Sequence, residues 1–459
     1  MSNYCFKALL QNDGWLSPAF VSTNAHGLIT YLSDQPQEGI QYEEIAGYAI
    51  PGFQNAHSHA FQYAMAGIAE IHRPVAVADD FWSWRQAMYQ VALTVDPDQL
   101  EAIATMLYAE MARHGYTHVA EFHYLHHDKS GKPYENLAEM GERLVAAAQK
   151  AGIKITLVPM FYQQGGFGME PQSHQRRFIS STTDNYEALL EATRVVVEPH
   201  SHASYGFGIH SLRAVRPKDI ISSLSIADKK LPVHIHISEQ LKEVEDACTF
   251  LGKRPVQWLL DNVEVNENYH LVHATHLDGK EVKGIADSGG HVVLCLSTEG
   301  NLGDGIFPLK EFQNSGGKWS IGTDSHVGLN PLEELRLLDY GQRLTTHQRN
   351  TFTSKTEGDS AAYAIRQSLI SGRAAMGNAS TDYFAIGQPL DAVIYDAGAP
   401  LIATADKKNV LSAIVYSSDS SQCKGTISDG RWIVRNNRHI GSESITSSFK
   451  QALKDISVR

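Results

Sequence analysis

Cysteine is scarce in this chain: Cys5, Cys248, Cys295 and Cys423 lie far apart, with no Cys-x-x-Cys spacing among them. That argues against both a disulfide framework and a thiolate zinc site, and for a reduced compartment. Long apolar runs are missing too, none approaching the roughly 18 residues that a membrane-spanning helix needs. The opening residues Met1 to Lys7 show no basic stretch leading into an apolar core, so no secretory signal is expected and a cytoplasmic protein is the simplest reading. Positive charge is in deficit, with a formal net charge of -12 and no long Lys/Arg run. A general nucleic-acid binder needs a basic face, so that class is excluded, and an anionic substrate would have to be met by local arginines. We also find no internal repeat of fixed period and no low-complexity segment.

What is present is ordinary in bulk, with 42% hydrophobic and 20% charged residues, enough for a large core. At 459 residues the chain could hold about three average domains, yet one α/β barrel with insertions can fill most of that length. From about residue 49 to 325, short β-branched runs alternate with amphipathic stretches, as repeated βα units do. Eight strand candidates are counted, at 48–56, 116–122, 154–160, 204–210, 232–236, 269–274, 291–296 and 319–323, matching a closed barrel. Before the second, Asp96 is placed as an N-cap with Pro97 at the first helical position, and Gly115 ends the helix. The expectation is an α/β fold: a (β/α)8 TIM-type barrel over 49–382. Residues 1–48 and 383–459 read as a small discontinuous β-sandwich domain made from both termini.

The unusual feature is 22 histidines. Random placement of that number predicts about one His-x-His pair, whereas three occur, at 57/59, 200/202 and 234/236. His57 and His59 close the first strand candidate, and side chains at i and i+2 of an extended segment point the same way, so both can reach one metal. Histidine or aspartate recurs at other strand ends: His234 and His236 with Glu239 after strand five, His273 and His276 after strand six, Asp324 and His326 after strand eight. Barrel active sites are assembled from such ends, and imidazoles with a carboxylate suit a hydrolytic zinc centre. Spacing alone does not choose between His234 and His236, which share a parity.

These residues resemble the amidohydrolase superfamily, with Pro51 to His59, His236 to Glu239, His273 and Gly322 to Asp324 falling in its order. Within it, the chain is similar over essentially its whole length to the formimidoylglutamate deiminases, through Asn55 to Gln62, Phe81 to Arg85, Ala120 to Asp128 and Gly208 to Arg213. The resemblance implies that His57, His59, His236 and Asp324 bind Zn2+. Members with two metals offer a bridging lysine from a strand end, and strand four closes on His210 instead, so one zinc per chain is expected. It further implies Glu239, His273 and Asp324 as the groups that handle protons, and Gln62, Arg85, Tyr124, His210 and Arg213 as the substrate pocket. The implied reaction is hydrolysis of N-formimino-L-glutamate to N-formyl-L-glutamate and ammonia in histidine degradation, by a homodimer without membrane or nucleic-acid partners. The chemistry agrees, since two arginines can each grip one carboxylate of a glutamate-like tail. Arg85 could instead be a surface guanidinium stacked among Phe81, Trp82 and Trp84, and His126, His127, His200 and His202 are assigned to loops without a role. The competing readings are a deaminase or chlorohydrolase of a nucleobase or triazine on the same metal residues, and a barrel kept as a non-catalytic scaffold.

Overall fold

A computed structural model of the protein describes residues 1–68, 70, 81–354 and 357–456, without the side chains of 81–83. Eight parallel strands form the catalytic half: β1 Phe53–Ser58, β2 Tyr116–His123, β3 Lys154–Phe161, β4 Phe207–Ser211, β5 Val233–Ile237, β6 Tyr269–His273, β7 His291–Leu294 and β8 Lys318–Ile321. They pair in chain order from β1 to β8. A short strand, Ala203–Tyr205, lies on β3 just before β4. Their side chains are buried on both faces, as expected when helices cover a parallel sheet.

The first strand candidate, 48–56, proves to be two strands. Glu43–Pro51 belongs to the other sheet and β1 begins at Phe53, the break falling at Gly52. A Cβ at Gly52 would sit 2.4 Å from Thr117 Oγ1 on β2, so only glycine lets the chain cross from one sheet to the other so close to the barrel. The fourth candidate, 204–210, is likewise interrupted at Gly206.

Strands from both ends of the chain hydrogen-bond into one continuous nine-stranded sheet, in which Glu43–Pro51 lies between Asn3–Gln11 and Ala392–Asp396. The sandwich expected of the termini takes this single-sheet form. The helix before β2 follows its sequence signals. Asp96 accepts from Gln99 N at 2.9 Å, Pro97 opens Pro97–Arg113, and Leu100, Ile103, Leu107 and Met111 are buried. No helix among the described residues is long and apolar enough to cross a membrane.

β8 returns to β1 at their C-terminal ends. Thr323 N and Asp324 N both donate to His57 O at 3.0 Å, and His59 N donates to Asp324 O at 3.2 Å. Asn55 fastens the seam by accepting from Thr323 N at 3.0 Å and donating to Thr323 Oγ1 at 2.8 Å. Gly322 makes the approach possible, since a Cβ there would lie 2.7 Å from His57 Cβ and 2.9 Å from Cys295 Sγ. Closure of the barrel therefore also sets Asp324 beside His57 in β1 and His59 just past its end.

Candidate active site

At the C-terminal mouth, Asp324 Oδ1 lies 3.3 Å from both His57 Nε2 and His59 Nε2. His236 Nε2 from β5 is 3.1 Å from His57 Nε2. All four side chains are buried. Second contacts fix which ring nitrogen faces the centre. His59 Nδ1 donates to Phe122 O at 2.8 Å and His236 Nδ1 to His210 O at 2.9 Å, so each Nε2 presents a lone pair. Burial pushes the His57 imidazole down to about 3 and lowers His59 and His236 as well, which keeps them neutral at pH 7. Burial works against ionisation of Asp324, but its contacts with His57, His59 and His273 win and hold it well below the ordinary carboxylate range. Converging lone pairs and a buried carboxylate repel one another unless a cation sits among them, so this donor set fits a divalent metal. The backbone is strained where it aims these groups: Asp324 has φ +46° and His273 φ +68°, in the left-handed region that non-glycine residues seldom occupy.

A second group of ionisable side chains stands beside the first. His273 Nε2 is 3.9 Å from Asp324 Oδ2 and 3.8 Å from Glu239 Oε1, while its Nδ1 is 3.2 Å from Glu299 Oε1. Burial alone would lower this imidazole, but Glu239, Glu299 and Asp324 outweigh it and carry it up to about 10. Burial raises the Glu239 carboxyl, with His273 and Arg213 pulling the other way. Arg213 reaches Glu239 Oε2 at 3.9 Å. Glu239 leaves β5 through a turn in which Ser238 has φ +52°, and Glu243, one helical turn on, accepts from Ser238 N and Glu239 N at 3.2 and 3.1 Å. Glu243 and Glu299 had no strand-end position to mark them in the sequence. Each sits on a helix that starts directly after the strand it braces, Leu241–Leu251 after β5 and Leu296–Leu302 after β7. Glu121 was also missed: near the end of β2, it accepts from Ser58 Oγ at 2.5 Å and Ala60 N at 2.6 Å and so anchors the chain around His59.

Arg85, His210 and Arg213 line one cavity of about 610 Å³. Arg213 is nearly enclosed and its Nε has no hydrogen-bond partner. Arg85 is half-buried, donates to Tyr162 Oη at 3.0 Å and lies over the Tyr89 ring at 5.3 Å. Its described aromatic neighbours in the cavity include Tyr89 and Tyr162; Trp84 lines a different cavity with Gln62 and Tyr63, and the Phe81 and Trp82 side chains expected beside it fall outside the described residues. Gln62 and Tyr124 join the metal side of the site, with Gln62 Nε2 donating to Tyr124 Oη at 2.8 Å and the Tyr124 ring 5.0 Å from that of His59. Gln62 Oε1 is buried without a partner.

The remaining histidines separate cleanly. His234, open by parity, lies deeper in the barrel, where its Nε2 is 2.9 Å from Ala375 O and its ring 5.0 Å from that of His270. His126, His127 and His202 each bind a backbone carbonyl, those of Met160, Ile179 and Val145. His326 closes on Thr323 Oγ1 at 2.9 Å, within the turn that carries Asp324.

Comparison with known proteins places this geometry. Residues 48–433 match the model of the Amidohydrolase family. The chain is 42% identical over 452 residues to the formimidoylglutamate deiminase of Pseudomonas aeruginosa, covering 98% of each chain. The crystal structure of an amidohydrolase from Brucella melitensis superposes with a TM-score of 0.92 at 38% identity, over 99% of this chain and 100% of that one. An adenosine deaminase from Xanthomonas campestris, with bound zinc, shares the fold at a TM-score of 0.82 and 20% identity, over 100% and 98% of the chains. The chain belongs to the amidohydrolase family and is a hydrolase acting on C–N bonds.

Proposed function

We propose that this protein hydrolyses N-formimino-L-glutamate to N-formyl-L-glutamate and ammonia, using one zinc ion held by His57, His59, His236 and Asp324. Residues 49–382 form its catalytic domain, the terminal segments 1–48 and 383–459 a small β-domain, and it works in the cytoplasm as a homodimer in histidine degradation. The observation that carries the substrate class is the lining of one cavity by Arg85 and Arg213 in a chain of net charge -12, beside the cluster of Glu239 and His273. Such a protein has no general attraction for anions, so two arginines at one cavity point to two carboxylates.

Bound zinc would lower the pKa of a water it holds to near ~7, supplying a nucleophile at neutral pH. Asp324 and His273 would orient the attacking water; His273, which its carboxylate neighbours hold protonated, would donate to the water oxygen, and Asp324 would accept the proton. Attack on the sp2 formimino carbon leaves a tetrahedral centre whose nitrogen must be protonated before it departs. Glu239, between His273 and Arg213, delivers that proton to the amino nitrogen. Arg85 and Arg213 grip the carboxylates, while Gln62, Tyr124 and His210 shape the pocket between them and the metal residues.

Product analysis tests the reading. N-formyl-L-glutamate and ammonia should appear in equal amounts. Glutamate and formamide would mean that the proton goes to the substituted nitrogen, contradicting the assignment of Glu239. A nucleobase or triazine site on the same metal residues would call for aromatic stacking and amides in place of paired arginines.

A further inference from the structure

Arg85 does not meet the cavity alone. Tyr162 Oη accepts from Arg85 Nη2 at 3.0 Å and from Gln175 Nε2 at 2.9 Å, which occupies both of its lone pairs. Gln175 Nε2 also donates to Tyr89 Oη at 3.1 Å, and Gln175 Oε1 is itself engaged by Gln172 N at 2.8 Å. Two hydroxyl hydrogens must be placed. In the hydrogen bonds of the described residues both phenol oxygens only accept, and neither hydrogen meets a protein acceptor. Tyr162 and Tyr89 are both buried and both line the cavity with Arg85, while the Tyr162 ring is held 4.4 Å from that of His210. A buried hydroxyl hydrogen without an acceptor costs free energy unless a ligand takes it up. The acceptor that suits it, beside a guanidinium, is an anionic oxygen.

We propose that the Tyr89–Tyr162 pair, oriented by Gln175, is specificity-determining: the Tyr162 hydroxyl, its hydrogen unclaimed by the protein, joins Arg85 in binding one carboxylate of the substrate. This rests on the dicarboxylated amidine proposed above. The arrangement gives that carboxylate a fixed neutral donor beside a charged one, and it sets the direction from which Arg85 approaches.

The test compares Tyr162→Phe with the unaltered enzyme on N-formimino-L-glutamate and on two analogues, each lacking one carboxylate. Phenylalanine keeps the ring against His210 and removes only the hydroxyl. The expected result is a fall in kcat/KM of roughly ten- to 150-fold on the dicarboxylate, mostly through KM. Preference over the analogue lacking the Arg85-bound carboxylate should shrink by a similar factor. A residue that served only to hold Arg85 would lose its effect once that guanidinium is gone, so Tyr162→Phe is also made in an Arg85→Ala background. There it should still lower kcat/KM several-fold. Unchanged kcat/KM in the single variant, or no further loss in the double variant, overturns the inference. If the unaltered enzyme leaves N-formimino-L-glutamate intact, the proposed function has failed instead, and the two failures are distinguished.

Discussion

In the proposed mechanism the chemistry turns on Glu239, which among the described residues is the one ion-paired with both the His273 imidazole and the Arg213 guanidinium. Its change to Gln keeps the shape and removes the proton. Metal content should stay at that of the unaltered enzyme, while kcat should fall by roughly a hundredfold or more, the usual scale for a lost proton carrier. Turnover near normal would make Glu239 structural. Arg213→Met should cost about ten- to 150-fold in kcat/KM for a substrate with two carboxylates and far less for one that lacks the carboxylate it binds, as steady-state kinetics on the pair would show. The residues of both arguments could be picked out from the sequence because each stands at or just past a strand end, where a barrel opens its active site. Glu299, Glu243 and Gln175 could not. Their roles depend on which turn of a helix or loop packs under which strand end, and a glutamate one turn into a helix looks like any solvated charge.

At the scale of elements, the meeting of β1 and β8 does most to assemble the site. The regular βα alternation made eight strands legible, and the helix Pro97–Arg113 followed its cap, proline and glycine signals. The 48–56 run misled because β-type residues resume at Phe53 directly after the Pro51–Gly52 break, where the chain passes from one sheet to the other. Gly322 has a comparable role, since no side chain fits between β8 and His57. Gly322→Ala should therefore push the two strand ends apart. Overpacking of this kind costs about 1 to 3 kcal/mol, and here the displaced groups include His57 and Asp324. Metal analysis of the purified variant should find less than half the metal of the unaltered enzyme, with the thermal midpoint lowered by several degrees. Full metal content would show that the seam tolerates a methyl group and that Asp324 is positioned by other contacts.

For the molecule as a whole, the abundance of histidine has a second consequence besides the metal site. His118, His123, His270 and His291 are held neutral, with burial pushing His118 and His123 down to about 3, His291 to about 4 and His270 well below its ordinary value. Unfolded, each would titrate near 6.5. Protons therefore bind the unfolded chain preferentially below that value. The stability these groups contribute is whole above pH ~6.5 and drains away as the pH falls towards 4 to 3, by up to roughly 1.4 kcal/mol per pH unit for each fully neutral group. Urea unfolding should show a clearly lower midpoint at pH 5 than at pH 7, and a flat profile would mean that these imidazoles are charged, or accessible, in the folded state. The overall charge gives the substrate its discriminating power. Because the net charge of -12 gives no general attraction for anions, the proposed function assigns affinity for a dicarboxylate to the cavity lined by Arg85 and Arg213. The most direct measurement is kcat/KM for ammonia release across a panel containing N-formimino-L-glutamate, its two monocarboxylate analogues, guanine, cytosine, adenosine and a chlorotriazine. The account predicts N-formimino-L-glutamate to be the best substrate by at least tenfold, with the nucleobases and the triazine inert. Faster turnover of any ring compound than of the dicarboxylated amidine would contradict it.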